Sequence, residues 1–161
     1  DEMEPNLRYE ASVRGIDPER LIFAQQLPHA EHLARLRLAD LFVDSFNCNA
    51  HTTASDALWA GLPLVTKIGE GFAARVAASL LTAIDLPELI TDSKEGYETL
   101  ILDLATNPKR LAKVKTKLIA NRLTTPLFNT KIYTKHLETG YEQAYQRYID
   151  GLEPNTIIVC N

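Results

Sequence analysis

Apolar positions from Pro5 to Gly15 recur at helical spacing and predict a helix. Beyond Pro18 the run Arg20 to Ala24 (RLIFA) is short and apolar, as a buried strand would be. His29 to Leu36 follows Pro28 and predicts a short helix; Leu41-Phe42-Val43, bracketed by Asp40 and Asp44, predicts a second buried strand. A polar stretch, Asn47 to Asp56 (NCNAHTTASD), leads into another short helix that stops at Gly61, and Pro63 to Thr66 (PLVT) reads as a third strand. Glu70 to Ile84 predicts a helix with Phe72, Val76 and Leu80 on one face. Short apolar strands separated by crossover helices are the pattern of a parallel, doubly wound sheet, so the expected fold class is α/β and Rossmann-like.

From Lys94 the strand pattern gives way to helices. Leu100, Ile101, Leu104 and Ala105 mark one, Leu111, Val114 and Leu118 another, and Asn107-Pro108 divides them. A last helix, Thr130 to Asp150, sets Tyr133, Leu137, Tyr141, Tyr145 and Tyr148 on one stripe, which is expected to be core. The expected organisation is one domain over residues 1–161, with an α/β core at 1–93, helices at 94–150 and an irregular tail at 151–161. No internal repeat, Gly/Ser linker or low-complexity tract interrupts it.

Composition adds bounds rather than a function. A chain of 161 residues, 45% hydrophobic and 24% charged, can bury a substantial core. The net charge of -4, with both signs mixed along the chain, gives no general attraction to nucleic acid or an anionic membrane, so an anionic ligand must be held locally. The basic run Lys109 to Lys117 interleaves charge with apolar positions and reads as a solvated helix face. Cys48 and Cys160 suggest neither a disulfide framework nor a metal site, and a cytoplasmic protein is expected. No apolar run approaches the ~20 residues that span a bilayer. Met3, the only methionine, follows two acidic residues, so the chain is expected to be a piece of a longer protein.

Candidate chemistry gathers in NCNAHTTASD. Thr53 and Asp56 have the spacing of a capping box, in which each side chain takes a backbone N–H at the helix start. The same stretch lies at the carboxyl end of a strand, where open α/β sheets bind ligands. There the free N–H groups and helix dipole attract phosphate, the Thr52 and Thr53 hydroxyls add donors, His51 donates another, and Asp56 suits ribose hydroxyls. Neither a Gly-x-Gly-x-x-Gly nor a Walker-type motif is present, which weakens the NAD-dependent and P-loop readings; nucleotide-sugar transferases need neither motif. Upstream, His29, His32 and Arg35 share a helix face that can stack a base and neutralise phosphate, or simply face solvent. His29-Ala30-Glu31-His32 lacks the spacing of a standard zinc motif, so no metal is expected.

The runs CNAHTTASDALWAGLPLVT, RVAASLLT and TTPLFNTKIYTKHLETGYEQAY together resemble the C-terminal lobe of the protein O-GlcNAc transferase family, over about residues 20 to 150. These are GT-B enzymes that move N-acetylglucosamine from UDP-GlcNAc to Ser or Thr of proteins. The resemblance implies diphosphate contacts from His51, Thr52 and Thr53, a ribose contact from Asp56, base and ribose contacts from His32 and Arg35, and a sugar-pocket role for Cys48. At His29 the chain departs from the family, which commonly has a lysine near the uracil. The resemblance further implies an inverting transfer that needs no metal or other cofactor. Catalytic groups, a diphosphate-binding lysine and acceptor-recruiting tetratricopeptide repeats would lie in preceding chain. The related SPINDLY-like fucosyltransferases use GDP-fucose on a similar scaffold, and the CNAHTT form sits nearer the O-GlcNAc branch. A non-catalytic nucleotide-binding or interaction module and a GT-B epimerase are the alternatives.

Overall fold

In the computed structural model, which describes residues 2–159, contacts gather into two units, one up to His32 and one from Leu33 onward. Cys160 lies outside the described residues. In the first unit, helix α1 (Met3–Val13) is followed by Gly15 at φ 73, a left-handed turn that glycine adopts without steric cost. A 3₁₀ turn at Pro18–Arg20 follows, started by the Asp17 carboxylate accepting the N–H of Glu19 at 3.0 Å. The strand expected at RLIFA does not form: among the described residues no backbone pairs with it, and Ile22 is 89% exposed. An apolar run supplies strand propensity, but a ladder needs a neighbour. Side chains hold the segment instead, with the Arg8 guanidinium 5.2 Å over the Phe23 ring and donating to the Pro18 carbonyl at 2.6 Å.

Helix α2 (His29–Leu36) begins right after Pro28 and runs through the division between the units. The second unit then alternates β1 (Phe42–Val43), α3 (Thr52–Ala60), β2 (Leu64–Lys67), α4 (Val76–Ala83) and β3 (Ile90–Thr91). The three strands pair in the order β1-β2-β3, all parallel, with Phe42 opposite Leu64 and Thr66 opposite Ile90. Leu64, Val65 and Thr66 are consecutive and all fully buried, so both faces of the central strand are covered. Helices α3, α4 and α5 (Lys94–Thr106) all pack on β2. The core is formed by Leu58, Leu64, Val65, Leu81, Ile84, Leu86, Leu89 and Leu104, closed by Val114 and Leu118 of α6 (Pro108–Asn121). This is the expected parallel α/β architecture, with β3 as an addition that its two residues did not reveal.

Four details correct the sequence reading. β1 is at the sheet's edge, and Val43 is 55% exposed rather than buried. The helix expected over Glu70 to Ile84 is broken into a 3₁₀ turn (Phe72–Ala74) and α4. The reason is a closed loop: Gly69 N–H donates to the Ala74 carbonyl at 2.8 Å, and a Cβ at Gly69 would stand 2.6 Å from the Ala74 Cβ. Phe72, carried on this loop, is 81% exposed and belongs to no core-facing stripe. Finally, α7 (Thr130–Ile149) buries none of its residues, and Tyr133, Tyr141, Tyr145 and Tyr148 are exposed rather than core. Periodicity tells which side chains share a face, not whether another element covers it. The tail from Leu152 to Val159 has no regular secondary structure and folds back along α7, with Glu153 O accepting from Arg147 and Val159 lying against Gly140.

Candidate functional site

The loop between β1 and α3 leaves the carboxyl end of the sheet and is anchored by its own polar groups. The Asp44 carboxylate accepts the Ser45 N–H at 2.9 Å and the Ala50 N–H at 2.7 Å, bringing both ends of the loop to one oxygen. Its other oxygen accepts the hydroxyl of Thr66 on β2 at 2.7 Å, and the Asp44 carbonyl accepts the hydroxyl of Tyr97 on α5. Ser45 Oγ donates to the Cys48 carbonyl at 2.6 Å, and the Asn49 side-chain amide donates to the Ser45 carbonyl at 2.8 Å. The loop is also stitched to the Phe72–Ala74 turn: the Ala73 carbonyl accepts the Asn49 N–H at 2.8 Å and sits 3.4 Å from His51 Nε2. The Phe72 ring meets the His51 imidazole edge-on at 6.0 Å between centroids.

The helix that this loop delivers starts without a side-chain cap, as α1 and α4 also do. Its N-cap is His51, whose side chain makes no capping bond. The capping box expected at Thr53 and Asp56 is therefore absent, because Thr53 already lies inside the first turn, two residues past the N-cap position from which a hydroxyl can cap. Among the described residues no acceptor takes the N–H groups of Thr52, Thr53 and Ala54. Helices α5, α6 and α7 differ: Ser93, Asn107 and Asn129 each accept a first-turn N–H at 3.1 Å. Thr52 and Thr53 are exposed beside the open N–H groups, and no acidic residue lies in the first turn to neutralise the positive end of the dipole.

The structure thus brings Cys48, His51, Thr52, Thr53 and Asp56 onto one loop-and-helix segment. Cys48 is an exposed free thiol, His51 is half-buried, and Asp56 is half-buried one turn into α3 and has a partner of its own. His29, His32 and Arg35 share α2 at spacings of three, with His29 exposed and the other two half-buried. No group of three or more His, Cys, Asp or Glu among the described residues is placed to hold a metal. Nor is any helix among them long and apolar enough to cross a membrane.

Asp44, Thr66 and Tyr97 were not singled out in the sequence. Asp44 reads there as a polar strand terminator, and its partners lie 22 and 53 residues further on, beyond the reach of any local pattern. Burial, then the neighbouring Asp44 charge, pushes the Tyr97 phenol up to about 12, so at ordinary pH it is a donor. Phe46 packs edge-on against the Tyr97 ring at 4.9 Å, and the Lys67 ammonium lies 5.5 Å from the Phe46 centroid.

A parallel α/β unit with an uncapped helix start at the carboxyl end of its edge strand is a Rossmann-like lobe, the C-terminal half of the GT-B architecture. The profile of glycosyl transferase family 41 matches residues 1–137, and the chain belongs to that family. It is 39% identical over 152 residues to a probable UDP-N-acetylglucosamine–peptide N-acetylglucosaminyltransferase of Arabidopsis thaliana, named SEC, covering 94% of this chain. A Caenorhabditis elegans UDP-N-acetylglucosamine–peptide N-acetylglucosaminyltransferase is 36% identical over 149 residues, covering 92% of this chain. A probable UDP-N-acetylglucosamine–peptide N-acetylglucosaminyltransferase of Hordeum vulgare, named SPINDLY, is 32% identical over 124 residues, 77% of this chain and 13% of its own length. Among solved structures, a point mutant of the Thermobaculum terrenum O-GlcNAc transferase superposes with a TM-score of 0.81 at 28% identity, over 87% of this chain and 27% of that one. The chain spans only 16% and 13% of the Arabidopsis and Caenorhabditis relatives.

Proposed function

We propose that the start of α3 receives the diphosphate of a nucleotide sugar, and that the protein containing this segment transfers N-acetylglucosamine from UDP-N-acetylglucosamine to Ser or Thr hydroxyls of proteins. The observation that carries this reading is the uncapped helix start, where the N–H groups of the exposed Thr52 and Thr53 have no acceptor among the described residues and stand beside their own hydroxyls. His51, Thr52 and Thr53 face the diphosphate, Asp56 the ribose, and Cys48 the sugar's N-acetyl group. His29, His32 and Arg35 serve the base and ribose. The choice of sugar is supported by relatives whose names give that activity at 39% and 36% identity and, for the barley SPINDLY relative, at 32%.

The chemistry follows from where charge grows. As the acceptor hydroxyl attacks the anomeric carbon and inverts it, the bond to the diphosphate breaks and negative charge accumulates on the leaving UDP. Donors already fixed at the α3 start stabilise that charge more in the transition state than in the ground state, and they need no rearrangement to do so. The helix dipole and the hydroxyls supply the positive potential, so in this reading the transfer needs no metal and a chelator leaves the rate unchanged. Acceptor binding and the remaining catalytic groups belong to chain outside this segment, and the protein works in the cytoplasm.

In the full-length protein, His51→Ala and Thr52→Ala are each expected to weaken UDP binding and to slow transfer together, by about tenfold to a hundredfold or more per donor removed. Calorimetry with UDP and intact-mass analysis of modified peptides measure the two effects. Transfer kinetics equal to the unsubstituted protein in both variants would sink the assignment. Parallel incubations with UDP-N-acetylglucosamine and GDP-fucose separate the sugars by the mass added, and label released as free sugar would point to an epimerase.

A further inference from the structure

Asp44 is 5% exposed, and it makes no ion pair among the described residues. A carboxylate withdrawn from water in this way is tolerated only when donors surround it. Here the donors come from three places: the two ends of the 45–50 loop, the Thr66 hydroxyl on β2, and, through the Asp44 carbonyl, the Tyr97 hydroxyl on α5. One oxygen holding both the Ser45 and the Ala50 N–H fixes the span of the loop, and the residue after Ala50 is His51, the N-cap of α3. Shifting this clasp displaces Cys48, His51 and the open helix start together. Thr66, itself fully buried, determines where the clasp sits, because its hydroxyl is bonded to the oxygen that the loop does not use.

We propose that Asp44 is a positioning residue of the donor site, acting through the closed 45–50 loop, with Thr66 and Tyr97 as the buried supports that fix its carboxylate and carbonyl. The proposal rests on the reading that the start of α3 binds the donor diphosphate. None of the three residues touches the donor. Their effect is on the placement of those that do, and displacements of about 1 Å at such a site cost on the order of a hundredfold.

The test uses substitutions that keep shape. In the full-length protein, Thr66→Val removes the hydroxyl at nearly constant volume and Thr66→Ser keeps it. Val114→Ala serves as a control, opening the core on α6 without removing any of the Asp44 hydrogen bonds. Thr66→Val is expected to weaken UDP binding about tenfold or more and to speed hydrogen exchange at the Ala50 amide. Thr66→Ser restores both, and Val114→Ala moves neither despite a comparable drop in Tm. Asp44→Asn, which keeps the shape but loses the charge, is expected to fall in the same direction as Thr66→Val. The proposal is overturned by UDP affinity in Thr66→Val equal to the unsubstituted protein, by failure of serine to rescue, or by an equal loss in Val114→Ala. If the unsubstituted protein does not bind UDP, the donor-site reading fails. The Ala50 exchange rates then still decide whether Thr66 and Asp44 hold the loop closed.

Discussion

At the scale of single residues, the buried phenol of Tyr97 links the stability of the lobe to pH. Its ionisation is pushed up to about 12, first by burial and then by the Asp44 charge. A group raised in the folded state stabilises below its unfolded pKa, about 10 for tyrosine, and loses that contribution as pH rises through the folded value. The Tyr97 contribution is thus intact at neutral pH and disappears between about pH 10 and about 12. Tyr97→Phe is expected to be less stable at neutral pH, and its Tm should fall less steeply over that alkaline interval. An ultraviolet titration should lack the latest-ionising phenol. Identical alkaline slopes in the two proteins would contradict the assignment. Legibility at this scale is uneven. His51, Thr52 and Thr53 are visible in the sequence because they are adjacent and polar between apolar runs. Asp44 and Thr66 look like a strand end and a strand position, and only folding shows that one clasps the loop and the other supports it.

At the scale of elements, punctuation was the reliable signal. Pro28 marks the start of α2, Asn107-Pro108 the break before α6, and Gly61 the end of α3. Gly61 takes φ 88, and the chain closes through Gly61 N–H to Leu58 O at 3.1 Å and Leu62 N–H to Ala57 O at 2.9 Å. A Cβ there would have room, its nearest atom being Ile119 Cγ1 at 3.9 Å, so the penalty of a side chain is conformational. Gly61→Ala is expected to destabilise by about 1 kcal/mol, a loss readable in urea midpoints, with UDP affinity unchanged because the far end of α3 is untouched. A neutral midpoint would show that the αL turn relaxes. What the local pattern could not supply was register and interruption. Thr53 and Asp56 have capping spacing, yet the N-cap is His51, two residues before the start of that box. The segment from Glu70 to Ile84 reads as one helix by its periodicity, yet the Gly69–Ala74 closure breaks it.

At the scale of the whole chain, the parallel sheet was legible because Leu64, Val65 and Thr66 form a continuous run that only a doubly covered strand explains. Coverage of surfaces was not. The tyrosines of α7 recur at helical spacing as expected, but they stand exposed, and burial depends on partners that sequence spacing does not name. The same limit explains RLIFA, whose strand propensity finds no backbone to pair with among the described residues.

Helix α7 also bears on the order in which the protein comes apart. With no buried residue along its length, and with a tail tethered to it mainly through Arg147 and Val159, it draws little from the hydrophobic core that secures β2 and α5. A segment of that kind opens on its own long before the sheet does. Its amide hydrogens are expected to exchange at least about tenfold faster than those of β2 in native conditions, through a local opening insensitive to mutations such as Val114→Ala. Protection in α7 equal to that of β2 would mean that a surface supplied by the rest of the full-length chain holds it down. The helix would then report, as a gain in protection, when the lobe has found its other half.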